Sequence, residues 1–352
     1  MNKLVIVFLI LFVLSSFGVV LGEESSNPVI WKYKTSSWVL AVNTTNDTSY
    51  TAASALDGSI YYLDNSGKLL WNKNVGHRIV YLSLSEDQSK VTAVTGEKVY
   101  IFDNSGMELN SYKTLSGAFM TITPDGKHIG GSSSNIYAMA YKDGRPIWDY
   151  KTDDKINYVS LTSDGQTLAV ASSDNHVYLI KSGFLLWKYD TKAPVLSVAV
   201  TPDASYVVCG TGNYESKEGE TSNDFKVYLF DGSGKLLWNY NLGYTVSSVS
   251  ITPDGSYIVI GSWDKKVHIF SKSGEHLREF KTEGNVWSVS ITPGGKNVVA
   301  GSTDSYVYSL DVEAMAKPEK SSSFGNPLYI VVPISLAVIA AAIIYVKRSK
   351  KN

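Results

Sequence analysis

The chain has 352 residues, of which 18% are charged and 12% aromatic, including 23 tyrosines. That composition is too apolar for a disordered chain and suits a β-rich globular one, and the length is one that large all-β domains reach. The formal net charge is −1, but Lys3, Lys347, Arg348, Lys350 and Lys351 lie at the ends; without them 27 basic residues face 33 acidic ones, a net of −6, which excludes the clustered cations of a nucleic-acid binder.

The first 22 residues, MNKLVIVFLILFVLSSFGVVLG, place one lysine before a long apolar run that gives way to small residues. This reads as a secretory signal peptide cleaved around Gly22, with an uncleaved anchor as the competing reading. Two sequons follow, at Asn43 and Asn46, as fits an exported domain.

From residue 28 the chain repeats itself. Unit starts fall at Trp31, Trp71, Ser111, Trp148, Trp187, Trp238 and Arg278. Each unit opens with an alternating strand such as VSSVSI and turns at a tetrapeptide such as TPDG (252–255) or TSDG (162–165). Proline presets φ in such a turn, and glycine releases the backbone after it. A β-branched strand follows, then a turn carrying Asp57, Asp174, Asp264 or Asp304, then a third strand. A glycine turn such as DGSGKLL leads into a fourth strand through the tryptophan.

Four strands in about 40 residues is the pattern of a propeller blade. The chain starts with a lone fourth strand (28–34) and ends its last unit on a third strand (306–311). The prediction is an all-β, seven-bladed β-propeller over residues 23–316, whose N-terminal strand completes blade seven and latches the ring. Gly232, Gly234 and Lys235 then belong to a hairpin turn and not to a phosphate loop, which would also need glycine at Leu229 and Ser or Thr at Leu236.

A polar linker (317–326) precedes residues 327–346, which carry no charge and are long enough to span a bilayer as a helix, followed by a basic tail (347–352). The layout predicts a single-pass protein of the cell membrane, with the propeller outside and the C-terminus in the cytoplasm.

The stretch ITPDGSYIVIGSWDKKVHIF resembles a WD-repeat blade, and VYLFDGSGKLLW resembles the repeat of quinoprotein (pyrroloquinoline-quinone-type) propellers, in which a glycine turn leads into a tryptophan that packs between blades. No unit has the Trp-Asp ending or Gly-His opening of WD repeats, and Ser111 and Arg278 replace the blade tryptophan. The quinoprotein resemblance implies an oxidoreductase holding a quinone and Ca²⁺. Against it stand the single cysteine, Cys209, read as a buried strand residue, and the absence of a spaced carboxylate–amide set. The five histidines show no metal-ligand spacing, and no catalytic motif appears. Asp125, Asp164, Asp203 and Asp254 read as caps of their own turns. No cofactor, metal or catalytic residue is expected.

Two departures from the repeat point to binding. Unit five carries an acidic insert, NYESKEGETSNDFK (213–226), with Glu215, Glu218, Glu220 and Asp224. Trp38 and Trp287 occupy similar first-strand positions in units one and seven, and Trp263 lies in the second turn of unit six. Loops entering the first strand and those joining the second and third strands share a propeller face, so Trp38, Trp263, Trp287 and Tyr244 should gather there, with Trp263 the most exposed. The expected role is binding of a protein or a cell-envelope glycan. An exported quinoprotein-like oxidoreductase, or an assembly factor for exported proteins, is the alternative.

Overall fold

The computed structural model describes residues 27–318, apart from 86, 114–119, 124–127, 134–135, 143–144 and 216–218. The expected signal segment and the expected span at 327–346 lie outside these residues. Among the described residues no helix is long and apolar enough to cross a membrane.

Seven four-stranded antiparallel sheets form the blades: 39–74, 79–113, 120–151, 156–190, 195–241, 246–281, and 286–311 joined by Val29–Lys34. The first strands of successive blades touch in a closed ring, that of blade 7 (Val286–Ile291) meeting that of blade 1 (Val39–Thr44). Val29–Lys34 pairs antiparallel with Tyr306–Asp311, so the predicted latch is present.

Burial follows strand position. Middle strands such as TLAVAS (Thr167–Ser172) are buried throughout, because a blade packs on a neighbour at both faces. The outermost strands alternate, as in VIWKYK, where Trp31 and Tyr33 turn inward and Lys32 and Lys34 face solvent.

First strands of neighbouring blades share no ladder, so short polar side chains satisfy backbone groups that would otherwise be buried unpaired. Val42 N–H donates to Ser288 Oγ (3.1 Å), Val289 N–H to Ser248 Oγ (3.1 Å), Leu84 N–H to Asn43 Oδ1 (3.0 Å) and Val200 N–H to Ser160 Oγ (3.2 Å).

The glycine turn and the tryptophan form one device. At Gly234 (φ 86°) an added Cβ would lie 2.6 Å from the Trp187 indole of the preceding blade, and Gly67, Gly106 and Gly274 face Trp31, Trp71 and Trp238 in the same way. The indole N–H of Trp187 donates to Gly232 O (3.1 Å), and that of Trp238 to Lys272 O (2.9 Å). Where blade 2 lacks the tryptophan, Asn110 and not Ser111 takes its place, since Asn110 pairs with Ile101 as Trp71 pairs with Tyr62. The bulge in each fourth strand is what makes a one-residue error easy when the units are aligned by spacing alone.

The turn aspartates cap their own turns, as predicted. Asp254 Oδ1 accepts from Ser256 N (3.0 Å) and Thr252 Oγ1 (2.8 Å), and Asp164 and Asp203 do the equivalent; Asp125 lies outside the described residues. These bonds favour the ionised form. The hydroxyl of Ser256, with its backbone N–H and the Thr252 hydroxyl, holds Asp254 down at about 2, and the Ser85 hydroxyl, with Ser89, does the same for Asp87. A folded-state pKa below the ordinary 3.8 contributes stability above that value, and the contribution disappears as pH falls from about 4 to about 2. Urea midpoints should therefore drop across that window, and Asp254→Asn should flatten part of the drop; an unchanged profile would show that the exposed caps contribute nothing.

Candidate functional site: an aromatic and cationic channel mouth

All six first strands whose full length is described carry a bulge at their second residue, at Leu40, Val80, Asn157, Leu196, Ser247 and Trp287. A bulge re-aims its side chain, and five of these six line a central channel of about 370 Å³. The residue preceding each strand forms the rim. Its carbonyl accepts from the backbone N–H of the residue that follows the second strand: Leu56 to Trp38 (2.8 Å), Ser173 to Lys155 (2.8 Å), Trp263 to Thr245 (3.0 Å) and Thr303 to Asn285 (2.9 Å). First-strand entries and second turns therefore share one face, as expected.

Trp38 and Trp287 are not equivalent. Trp38 is a rim residue, in register with Arg78 and Lys155, whereas Trp287 sits two residues further along its blade, at the bulge, where blade 1 has Leu40. The bulge, not the spacing, re-aims the second of these side chains. Trp38 stays 48% exposed on the rim, while Trp287 turns into the channel.

Trp287 packs against Trp263 (ring centroids 5.6 Å apart) and stacks on Tyr214 (5.6 Å, 15° between planes), and Tyr214 also meets Trp263 (6.2 Å). Tyr214 is the residue that sequence reasoning overlooked. It comes from the insert, and Gly212 shows how: an added Cβ there would lie 2.7 Å from Thr245 Cγ2, so only glycine lets the chain run this close to blade 6. Asn213 and Thr245 then exchange two hydrogen bonds of 3.2 Å, and Ser222 N–H reaches Gly243 O (2.9 Å). The available signal was an aromatic at the point where the insert leaves the repeat.

Trp263 is half-buried between these rings, less exposed than expected, because the insert covers it. Its indole N–H is buried with no acceptor. Tyr214 lines the channel with 40% of its surface accessible; desolvation by the surrounding walls pushes its hydroxyl up to about 12, with Arg78 pulling the other way. Burial likewise raises Tyr158, reinforced by Tyr81 and Tyr214. Arg78 and Lys155 line the same cavity, and among the described residues no carboxylate pairs with either.

The other candidates separate. Tyr244 is half-buried beside Thr245 and makes no ring contact with the trio among the described residues. Glu215, Glu220 and Asp224 are exposed, and Glu218 lies outside the described residues. Asn43 spends its amide oxygen on Leu84, whereas Asn46 is exposed in a turn. Cys209 is fully buried and its thiol is pushed up by burial. The histidines are not all apart: His268 and His276 meet across a hairpin.

A quinone–calcium pair does not fit the channel. Among the described residues no carboxylate lines it, and the one lining amide, Asn157, already donates to Val195 O (2.8 Å) and Ser173 Oγ (2.9 Å). What the mouth offers is a flat aromatic surface, one unsatisfied N–H donor and two cations.

Residues 132–275 match the family described as outer membrane protein assembly factor BamB, and residues 274–309 match the family described as WD domain, G-beta repeat. No curated protein matches the chain. With seven four-stranded blades, the glycine–tryptophan interlock and these two matches, the chain is a β-propeller whose repeats are similar to those of the WD-repeat and quinoprotein-type families.

Proposed function

We propose that the propeller is a protein-docking module, and that its channel mouth receives an extended, carboxylate-bearing segment of a partner protein. The observation that carries this is the Trp263–Trp287–Tyr214 surface beside Arg78 and Lys155, which pair with no carboxylate among the described residues. Aromatic anchors bury much area at little rotamer cost, and cations near them select and steer acidic segments. The unsatisfied Trp263 N–H supplies a donor for a carbonyl or carboxylate. The match to an assembly-factor family supports a role in docking other proteins. The sequence of the two ends supports an anchored protein with the propeller outside the cell.

The test uses the full chain in detergent as bait on envelope extracts of its source, beside a Trp263→Ser, Trp287→Ser double variant. Serine is the residue at these positions in blades 4 (Ser173) and 6 (Ser247), so the fold should tolerate it. Wild type should enrich a protein whose capture falls at least about tenfold in the double variant at equal melting temperature. Equal capture by both overturns the reading. Enrichment of a protease-resistant glycan would favour a carbohydrate partner, and a co-purifying near-ultraviolet chromophore would favour the oxidoreductase.

A further inference from the structure

Blade 6 departs from the repeat at three positions that meet in space. The third-strand position held by Tyr61, Tyr100, Tyr178, Tyr228 and Tyr308 in other blades is His268. The fourth-strand position held by Leu69, Leu185 and Leu236 is His276, and that held by Asn72, Lys188 and Asn239 is Glu279.

The two rings face each other across the hairpin of Lys266–Ser271 and His276–Lys281, with His268 Nδ1 3.2 Å from His276 Nε2. One ligand atom from each of His268, His276 and Glu279 lies within 4.8 Å of the others. Two nitrogens bound to one tetrahedral ion at about 2.0–2.1 Å stand about 3.3 Å apart, so the imidazoles already have ligand spacing. His268 Nε2 lies 2.8 Å from Asp264 Oδ2. In blades 4 and 7 the equivalent Asp174 and Asp304 accept from a tyrosine hydroxyl. Here His268 Nε2–H donates to the carboxylate, which leaves the Nδ1 lone pair pointing at His276, the outer-shell arrangement that orients metal-bound histidine.

We infer that His268, His276 and Glu279 form a binding site for a divalent transition-metal ion of the zinc class, with a fourth position open. Lys266 Nζ holds Glu279 Oε1 at 2.8 Å, which leaves the other carboxylate oxygen for the ion. Phe270 stacks on His276 at 4.6 Å, and Tyr240 of blade 5 lies 5.9 Å from it, giving the site an aromatic wall. The ion would tie the third strand of blade 6 to the fourth in the blade where Arg278 stands in place of the tryptophan.

The test is zinc titration of the full chain, stripped with chelator, followed by calorimetry and melting temperature. Zinc at a hundredfold excess over its Kd should raise the melting temperature by about 4 °C, and calcium should not, since imidazole is a poor calcium ligand. His276→Leu restores the residue of blades 1, 4 and 5 and should fold, and Glu279→Gln keeps the shape. Each should weaken zinc at least about tenfold. No zinc-dependent shift in wild type, or equal affinity in His276→Leu, overturns the assignment.

Discussion

Trp187→Ala is expected to destabilise the propeller by about 3–5 kcal/mol, as removal of a packed tryptophan usually does. The indole lies against the Gly234 turn and Phe230 of blade 5 (centroids 5.4 Å apart), and its N–H caps Gly232 O. Truncation therefore opens the blade 4–5 interface and leaves a carbonyl without its donor. Gly234→Ala alone should cost at least about 2 kcal/mol, through strain at φ 86° and collision with the indole. The double variant decides whether glycine and tryptophan act as one device. Once the indole is gone only the backbone strain remains, so the double variant should cost less than the two single ones together. Urea denaturation of the four proteins measures this, and strict additivity would mean that the turn and the indole are independent.

The same device explains why the architecture was readable from sequence and the site only partly so. Blade number, hairpin turns and latch follow from local signals that recur every 37 to 51 residues: Pro-Asp-Gly, Asp-Asn-Ser-Gly, alternating strands. Site residues depend on register and on closure of the ring. Trp38 and Trp287 look alike until the bulge separates rim from channel. Arg78 and Lys155 are ordinary charges in sequence and become a pair of channel cations only when blades 2 and 4 face one centre. Tyr214 reaches its stack through hydrogen bonds to another blade. His268 and His276 are eight residues apart, a spacing that matches no ligand motif, because a hairpin rather than a helix brings them together.

Removal of the latch strand is expected to have the largest effect on the ring. Val29–Lys34 supplies the fourth strand of blade 7, and its contacts extend into blade 1. Trp31 packs on Gly67, Thr35 N–H and Oγ1 both donate to Ser305 O (2.9 and 3.0 Å), and Ser36 N–H donates to the Tyr61 hydroxyl (3.0 Å). A variant lacking residues 28–35 loses that ladder, the Trp31 contact and the joint between the last blade and the first. The cost should be about 5 kcal/mol or more, a fall of about 8 °C or more in melting temperature for a propeller of this size. It also leaves Tyr306–Asp311 as an open edge whose inward face carries Val307, and unpaired edges of this kind recruit other chains. The truncated protein should therefore self-associate, and a synthetic peptide of residues 27–36 should restore both the monomer and the melting temperature by strand addition. A truncated chain that stays monomeric and melts like wild type would show that the seven blades hold the ring closed without the latch. Rescue by the peptide would locate the closure energy in that one strand.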